Sequence, residues 1–267
     1  MSKQNRIRQI VIRKDVGLTA QIIQKNDLVF SKFGIDAPTF IFVKRGRKIL
    51  TVGKKKIILD AGDAVAPAVG SICDVENYTD HGEYEAHWIV FDDHIVTEFE
   101  KRFPKLLTMK EAVPLKGLGA DFFKSFDEAV NAISQTNLPP LIAENRVSEL
   151  LLWLAQTGFV FSSAKPEGLH KKVRSLISQA PQKQWASREV SDAFAMSEAT
   201  FRRKLSEESV SFSEILIDTR MTTALTLLQV TDTPISEIAY QVGYESASRF
   251  SVRFKKRFGC SPNAIRG

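Results

Sequence analysis

Several features that mark common protein classes are scarce or missing in this sequence. It has only two cysteines, Cys73 and Cys260, in 267 residues. Two thiols so far apart exclude a disulfide framework and favour a reducing compartment. No apolar run reaches the roughly 18 residues of a membrane-spanning helix, and the first residues alternate like a strand, unlike a signal peptide. We therefore expect a cytoplasmic protein with no membrane partner.

Motifs for catalysis are also missing. The four histidines, His81, His87, His94 and His170, form no His-x-His pair, so a metal site of the cupin type is not expected. No Gly-x-Ser-x-Gly, His-Glu-x-x-His or phosphate-binding glycine loop occurs either. We expect no enzyme activity, no metal and no cofactor, and a cupin-like enzyme is the least favoured alternative.

Positive charge is concentrated in the last hundred residues. The net charge is +6 and the sequence pI is about 9.2. Residues 168–267 carry 15 Lys and Arg against 10 Asp and Glu, whereas the preceding 167 residues carry 22 against 21. This asymmetry indicates a nucleic-acid-binding part at the C-terminal end.

The first 92 residues have the pattern of short strands. Strands are predicted at 40–43, 48–52, 55–59, 71–76 and 84–91. Gly53 and Lys54 would close a hairpin between the second and third of these. Many short strands with frequent turn signals predict a small β-barrel or jelly roll, which is cupin-like in outline.

Helical spacing begins after residue 120. Two helices are predicted around 122–133 and 147–154, and they would either form a helix-pair interface or cover the open end of the barrel. The polar stretch 162–168, rich in residues that break helices and strands, is predicted to be a linker. The fold class is therefore α+β, with a first domain over 1–161 and a second over 169–267.

The second domain repeats one helical pattern. In its first copy, Ser187 is expected to cap a short helix, and Ser197 to cap a second helix over 198–206. Two short helices joined by a tight turn form a helix-turn-helix unit.

The second copy follows 48 residues later. Thr233 and Pro234 would begin a helix that Gly243 ends, and Ser246 would cap another helix that Gly259 ends. A long helix over 212–229 lies between the two copies and would fix their spacing. The C-terminal domain is thus predicted to be all-α, with two helix-turn-helix units joined by a long helix.

The sequence ISEIAYQVGYESASRFSVRFKKRFGCSP, residues 235–262, resembles the signature of the AraC/XylS family of transcription regulators. The resemblance covers about residues 168–267, and the upstream residues that also fit it are Trp185, Arg220, Ala224, Leu227 and Leu228. Three positions depart from the family pattern. Val210 stands where the family usually has a glycine in a left-handed turn, and Val252 stands where a polar or basic residue is common. Ile265 replaces the aromatic residue that usually precedes Arg266.

The resemblance implies a regulator that binds double-stranded DNA and most often activates transcription through contact with RNA polymerase. By this resemblance the base-reading positions are Ala199, Thr200, Arg202, Arg203, Ala247, Ser248, Arg249, Ser251 and Val252. Contacts to the DNA backbone are expected from Ser197, Ser246, Lys255, Lys256, Arg257 and Arg266. Arginine can bind a guanine edge with two hydrogen bonds, so we expect the first unit to carry more base discrimination than the second. Arg220 is expected to be a structural ion-pair partner.

For the first domain the resemblance implies an effector-binding or dimerisation role. The candidate pocket residues are Phe40, Phe42, Lys44, Ile49, Ile72 and Trp88, with Arg45 or His87 as other polar partners. A basic side chain in such a pocket would suit a small anionic or fatty-acid effector. Three roles stay open: binding such an effector, forming a homodimer through about 120–158, or binding a regulatory protein partner.

Overall fold

Twelve strands and ten helices form from the residues that the computed structural model describes, which are 10–162 and 168–266. These residues divide into one unit built mainly from the part up to 162 and one built mainly from the part after 168. The predicted linker at 162–168 lies largely outside the described residues, so the domain boundaries stay a prediction. No helix within the described ranges is both long and apolar enough to cross a membrane.

The strands of the first unit build two antiparallel sheets. The strands are β1 (Val11–Arg13), β2 (Gly17–Gln24), β3 (Leu28–Gly34), β4 (Thr39–Arg45), β5 (Arg47–Val52), β6 (Lys55–Leu59), β7 (Ala64–Ala66), β8 (Ile72–Tyr78), β9 (Tyr84–Phe91), β10 (Leu107–Thr108), β11 (Val113–Leu115) and β12 (Phe159–Val160). One sheet has the order β1-β2-β9-β4-β7-β11 and the other β3-β8-β5-β6, while β10 and β12 form a small parallel pair. Because each sheet keeps two edge strands, the strands do not close into the single barrel that was one form of the prediction.

The predicted hairpin is confirmed. Val52 pairs with Lys55, so Gly53 and Lys54 form a two-residue loop between β5 and β6. Gly53 has φ of 59°, in the left-handed region that two-residue hairpin loops require and that glycine adopts without strain.

Three helices cover one face of the six-stranded sheet. They are α1 (Asp93–Arg102), α2 (Ala120–Ser134) and α3 (Pro140–Ala155). The buried face of α2 places Phe122 and Phe126 against Phe40 and Phe42 of β4, with ring centroids 5.1–6.0 Å apart. This aromatic layer joins sheet and helices because aromatic side chains bury more apolar area than any others.

Prolines and an arginine set the ends of these helices. Pro139 occupies the N-cap of α3 and Pro140 its first position, where a missing N–H costs nothing. The prolines therefore begin α3. Arg13 of β1 donates to the carbonyls of Ala132 and Gln135 at 2.6 and 2.8 Å, which satisfies the C-terminal end of α2.

The second unit is all helical. Its helices are α4 (Leu169–Gln179), α5 (Ser187–Ala193), α6 (Glu198–Glu207), α7 (Phe212–Val230), α8 (Ile235–Gln241), α9 (Ala247–Phe258) and α10 (Pro262–Arg266). Both predicted helix pairs and the long helix between them are present. Phe201 and Leu205 of α6, and Phe250, Phe254 and Phe258 of α9, are buried, as their spacing predicts.

Two local predictions in this unit need correction. Ala186, not Ser187, is the N-cap of α5, so Ser187 occupies the first helical position. The left-handed residue before α7 is Ser209, with φ of 59°. Val210 therefore avoids that conformation, which a β-branched residue adopts only with strain.

Candidate nucleic-acid interface

The turn of the first helix-turn-helix unit closes through two backbone hydrogen bonds. The N–H of Ala195 donates to Asp192 O at 3.0 Å, and the N–H of Met196 donates to Ser191 O at 3.0 Å. Ala195 has φ of 53°, which is uncommon for a residue with a Cβ. Ser197 then caps α6, because its Oγ accepts from the N–H of Thr200 at 3.2 Å.

The second helix-turn-helix unit repeats this turn with the same bonds. The N–H of Gly243 donates to Tyr240 O and that of Tyr244 to Ala239 O, both at 2.9 Å. Gly243 stands where the first unit has Ala195 and has φ of 82°. One additional residue, Glu245, precedes the cap Ser246, whose Oγ accepts from the N–H of Arg249 at 3.4 Å.

Gly243 lies directly on the guanidinium of Arg220 from α7. A Cβ at this position would stand 2.5 Å from Arg220 Nη2 and 2.9 Å from the carbonyl oxygen of Pro181. Arg220 is buried and donates from Nε to Pro181 O and from Nη2 to Lys183 O, both at 2.9 Å. Its structural role thus rests on backbone carbonyls, not on the ion pair that the sequence suggested, and burial lowers its pKa.

A carboxylate on α7 joins α4 to the second recognition helix. Asp218 accepts from Arg257 Nε on α9 at 2.6 Å and also forms an ion pair with Arg174 on α4. Asp218 and Arg220 therefore connect α4, the segment between α4 and α5, and the second helix-turn-helix unit to α7. These contacts hold the second unit on α7, the helix that separates it from the first.

The exposed face of α6 carries the first set of predicted base-reading residues. Ala199, Arg202 and Arg203 are exposed and share a face, as their spacing of three and four residues requires. Thr200 is half-buried, and its hydroxyl lies 2.9 Å from that of Ser197, within the helix cap. The structure thus brings three of the four predicted residues together on open surface and directs the fourth into the cap.

Both arginines of this face are paired with glutamates of their own helix. Arg202 Nη2 lies 2.6 Å from Glu198 Oε1, and Arg203 Nη1 lies 2.9 Å from Glu207 Oε1. Exposed pairs of this kind contribute only about 0.3–0.5 kcal/mol, so they can be exchanged for contacts to an anionic ligand.

The exposed face of α9 lines an open groove of 610 Å³. Its lining residues are Gln184, Gly243, Tyr244, Glu245, Ser248, Arg249, Val252, Arg253 and Lys256. Val252 is 69% exposed and therefore presents its methyl groups to the groove. Ala247 and Ser251 lie at the edge of this face and are half-buried, and Ser251 Oγ donates to Ala247 O at 2.8 Å.

Arg253 and Gln184 are groove residues that the sequence analysis missed. Arg253 follows Arg249 by one helical turn, so the four-residue spacing of two arginines was a signal for it. Gln184 belongs to the segment between α4 and α5 and carried no comparable signal, because only the tertiary fold brings it beside α9.

The predicted backbone contacts lie in different surroundings. Lys255 and Lys256 are exposed, and Ser197 and Ser246 are helix caps next to the two reading faces. Arg257 is half-buried and engaged by Asp218. The side chain of Arg266 lies outside the described part of the chain.

Three of the six predicted effector residues lie together under α2, and the other three do not join them. Phe40 and Phe42 pack under α2, and Lys44 pairs with Asp127 of that helix at 3.6 Å. His87 of β9 pairs with Phe42 and shares its face of the sheet. Trp88, the next residue of β9, faces the opposite side, because neighbouring residues of a strand alternate between faces. The remaining two also diverge: Ile49 is buried, whereas Ile72 is 62% exposed.

Two family models match the chain. Residues 190–267 match a helix-turn-helix domain, and residues 38–159 match the ExsA N-terminal regulatory domain. Both parts of the chain are therefore similar to the AraC/XylS family of transcription regulators. The C-terminal part is a DNA-binding domain of that family, and the curated relatives are transcription regulators, not enzymes.

The curated relatives match only part of the chain. The HTH-type transcriptional regulator YdeO of Escherichia coli K12 is 37% identical over 94 residues, which are 35% of this chain and 37% of YdeO. The transcriptional activator AggR of E. coli is 32% identical over 145 residues, 53% of this chain and 51% of AggR. The chain thus spans about a third to a half of the length of these relatives.

Solved structures match the fold over almost the whole chain. ToxT from Vibrio cholerae, crystallised with an unsaturated fatty acid, aligns with 94% of this chain and 95% of its own at a TM-score of 0.66. The sequences are 16% identical, so the similarity concerns the fold. Both proteins combine an N-terminal β-rich part with a C-terminal helical helix-turn-helix part.

Proposed function

We propose that this protein is a sequence-specific transcription regulator whose two helix-turn-helix units read adjacent major-groove segments of one DNA site. The observation that carries the proposal is the repeated turn, which presents one exposed helix face in each unit. An α-helix fits the major groove, where each base pair displays a distinct pattern of donors and acceptors.

The site is expected to have two different boxes. Asp218 holds the second helix-turn-helix unit on α7, the helix that follows the first unit in the same chain, so a single molecule should contact two segments about one helical turn apart. Because α6 and α9 present different side chains, the two boxes should not be related by a palindrome.

The two faces are expected to contribute differently. Arg202 and Arg203 of α6 can each bind a guanine edge with two hydrogen bonds, worth about 1–3 kcal/mol of discrimination. On α9, Ser248 and Val252 offer a single hydroxyl and a methyl surface, which suits a thymine methyl group. We therefore assign most base discrimination to the first helix-turn-helix unit. Ala199 on α6 and Arg249 on α9 are assigned as further base contacts.

Backbone contacts are assigned by exposure. Lys255 and Lys256 are free to reach phosphates, and Ser197 and Ser246 lie at helix N-termini, which favour anions. Arg253 joins this group because it lines the groove beside α9. Arg257 is assigned to holding Asp218.

The N-terminal part, residues up to 162, is proposed to modulate DNA binding or the activation of transcription by RNA polymerase. The α2–α3 pair offers a homodimer surface, since Leu141, Ile142 and Leu152 of α3 are exposed apolar side chains. A small anionic or fatty-acid effector is favoured because ToxT, a protein of the same fold, was crystallised with a fatty acid. A regulatory protein partner is the alternative occupant of the exposed α3 residues.

Selection of bound sequences from a random DNA pool tests the proposal. The full-length protein is used at about 150 mM salt, where non-specific binding is weak. Two enriched boxes about 10 base pairs apart are the expected result. A single enriched box would limit the second unit to backbone contacts, and loss of all enrichment, with residues 168–267 as well, would overturn the proposal.

A further inference from the structure

Four buried polar side chains lie between the two sheets of the N-terminal part, and they are here called the interior cluster. It consists of Gln24 of β2, Lys48 of β5, Asn77 of β8 and Tyr84 of β9. Their exposures are 1%, 4%, 1% and 0%. The effector residues predicted from the sequence include none of the four, because nothing local distinguishes Lys48 from the exposed lysines of the same hairpin.

Hydrogen bonds connect three members of the interior cluster across the sheets. Lys48 Nζ donates to Asn77 Oδ1 at 2.8 Å, and Asn77 Nδ2 donates to Gln24 Oε1 at 3.1 Å. Tyr84 completes the group, because Lys48 Nζ lies 5.7 Å from the centroid of its ring.

The interior cluster has more donors than acceptors. Within the described residues, Gln24 Nε2 and the Tyr84 hydroxyl are buried and have no hydrogen-bond partner. A lysine ammonium has three N–H donors, and Asn77 takes one. Buried donors without acceptors are rare in folded proteins, since each costs the desolvation of its polar group.

The charge of Lys48 is also uncompensated. None of the described carboxylates forms an ion pair with it, and burial lowers its pKa to about 7. The titratable groups that face it are the Cys73 thiol and the Tyr84 phenol, and burial raises the pKa of both. Both therefore remain neutral near pH 7, so neither balances an ammonium group.

We infer that the interior cluster binds the carboxylate of a small organic acid, with Lys48 as counter-ion and with Tyr84 and Gln24 as hydrogen-bond donors. A carboxylate supplies what the cluster lacks, namely one negative charge and two oxygens that accept several hydrogen bonds. This inference rests on the regulatory role proposed above for the N-terminal part and assigns that role a site and a ligand class.

An approach to the interior cluster exists at one end of the strands. An open cleft of 730 Å³ there is lined by residues including Gly46, Arg47 and Tyr78. Gly46 also touches the ring of Tyr84, since a Cβ at this position would stand 3.1 Å from Tyr84 Cδ2. One residue thus separates the cleft from the cluster, and a ligand would reach Lys48 through a movement of the Tyr84 side chain, whose hydroxyl then donates to the bound carboxylate.

Binding is tested on the full chain without DNA. The probes are straight-chain monocarboxylates from acetate to decanoate, and the primary alcohols of equal length are the controls. Binding is measured by thermal unfolding and by calorimetry at pH 7. Saturable stabilisation by one or more carboxylates and none by the matching alcohols is expected. Equal effects of acids and alcohols, or no effect of any acid, would overturn the inference.

Variants assign the binding to the interior cluster. Lys48→Met should weaken carboxylate binding at least tenfold, and Tyr84→Phe, which keeps the ring, about three- to tenfold. Lys54→Met, which changes an exposed lysine in the loop of the same hairpin, is the matched control and should bind as the wild type does. If Lys48→Met does not fold, unchanged affinity in Tyr84→Phe would by itself contradict the inference.

The pH dependence of binding gives a second readout. Carboxylate binding needs a charged Lys48, so the affinity should fall about tenfold per pH unit above pH 7, with uptake of close to one proton at pH 8. An affinity that is constant from pH 7 to 9 would contradict the role of Lys48. Carboxylate binding without any change in DNA binding or transcription would leave the site in place and reject only the regulatory role.

Discussion

The two helix-turn-helix units share one turn geometry but differ in what surrounds it. The same two backbone hydrogen bonds close both turns, around Ala195 in one unit and Gly243 in the other. Ala195 is exposed, so its Cβ costs only the strain of a left-handed conformation, about 1 kcal/mol. Gly243 lies on the Arg220 guanidinium, where a Cβ has no space. Backbone conformation alone therefore tolerates alanine, whereas close packing demands glycine.

The reading faces differ in the same way. The α6 face presents two arginines that are held by glutamates, and the α9 face presents serine, valine and a groove with basic edges. Repetition of a fold thus does not imply repetition of a binding function. Substitutions in the two turns and on the two reading faces test this contrast.

Gly243→Ala should lower the free energy of unfolding by about 3 kcal/mol or more. The new Cβ would clash with Arg220 and break its bonds to two carbonyls, and alanine would also be strained at φ of 82°. Denaturant unfolding of the full chain measures the loss. The matched change Ala195→Gly should leave stability within about 1 kcal/mol of the wild type, on the stabilising side. Equal losses in both variants would show that packing does not distinguish the turns.

Arg202→Ala should reduce the preference for the box that α6 reads by about 10- to 100-fold, since one bidentate contact is worth about 1–3 kcal/mol. Ser248→Ala should change the preference for the other box by no more than about threefold. Competition binding with DNA altered in one box at a time provides the measurement. If Arg202→Ala kept the preference and Ser248→Ala abolished it, the assignment of base discrimination to the first unit would be wrong.

Lys255→Ala should reduce the slope of log affinity against log salt by about 0.9, because one phosphate contact is lost. Arg257→Ala should leave that slope unchanged and instead lower the free energy of unfolding by about 1–3 kcal/mol, since Asp218 loses a partner. Titrations at several salt concentrations, together with unfolding curves, separate the two effects. A lower slope in Arg257→Ala would return this residue to the DNA contacts.

Glu198→Gln should raise DNA affinity about two- to threefold. The substitution releases Arg202 from an exposed ion pair and removes a negative charge from the first turn of the reading helix. Glu189→Gln on α5 removes a similar pair, to Lys183, away from the reading face and serves as the control. Affinity measurements at one salt concentration suffice, and a weaker complex with Glu198→Gln would indicate that the carboxylate itself contacts a base.

Most helices of the C-terminal part could be located from the sequence, because the residues that begin, end and bury these helices lie close together in the chain. Ser197, Ser246 and Gly259 are caps whose partners lie within four residues, and the phenylalanines of α9 follow the helical period. Reasoning was weaker in the first unit. The helix α1 received no prediction. The six proposed effector residues do not share one site, because an alternating pattern identifies a strand without indicating what covers each of its faces.

The sequence by itself determined where the two helix-turn-helix units form, which faces of α6 and α9 are buried, and which family the C-terminal part resembles. Only the tertiary structure decided which charges are free to act. Arg257 is engaged by a carboxylate 39 residues away, and Arg220 by carbonyls 37 and 39 residues away. Lys48 lies buried against a residue of another strand, 29 positions along the chain. A periodic pattern reports on neighbours within one or two turns, whereas the partner of a charge is set by packing between distant segments.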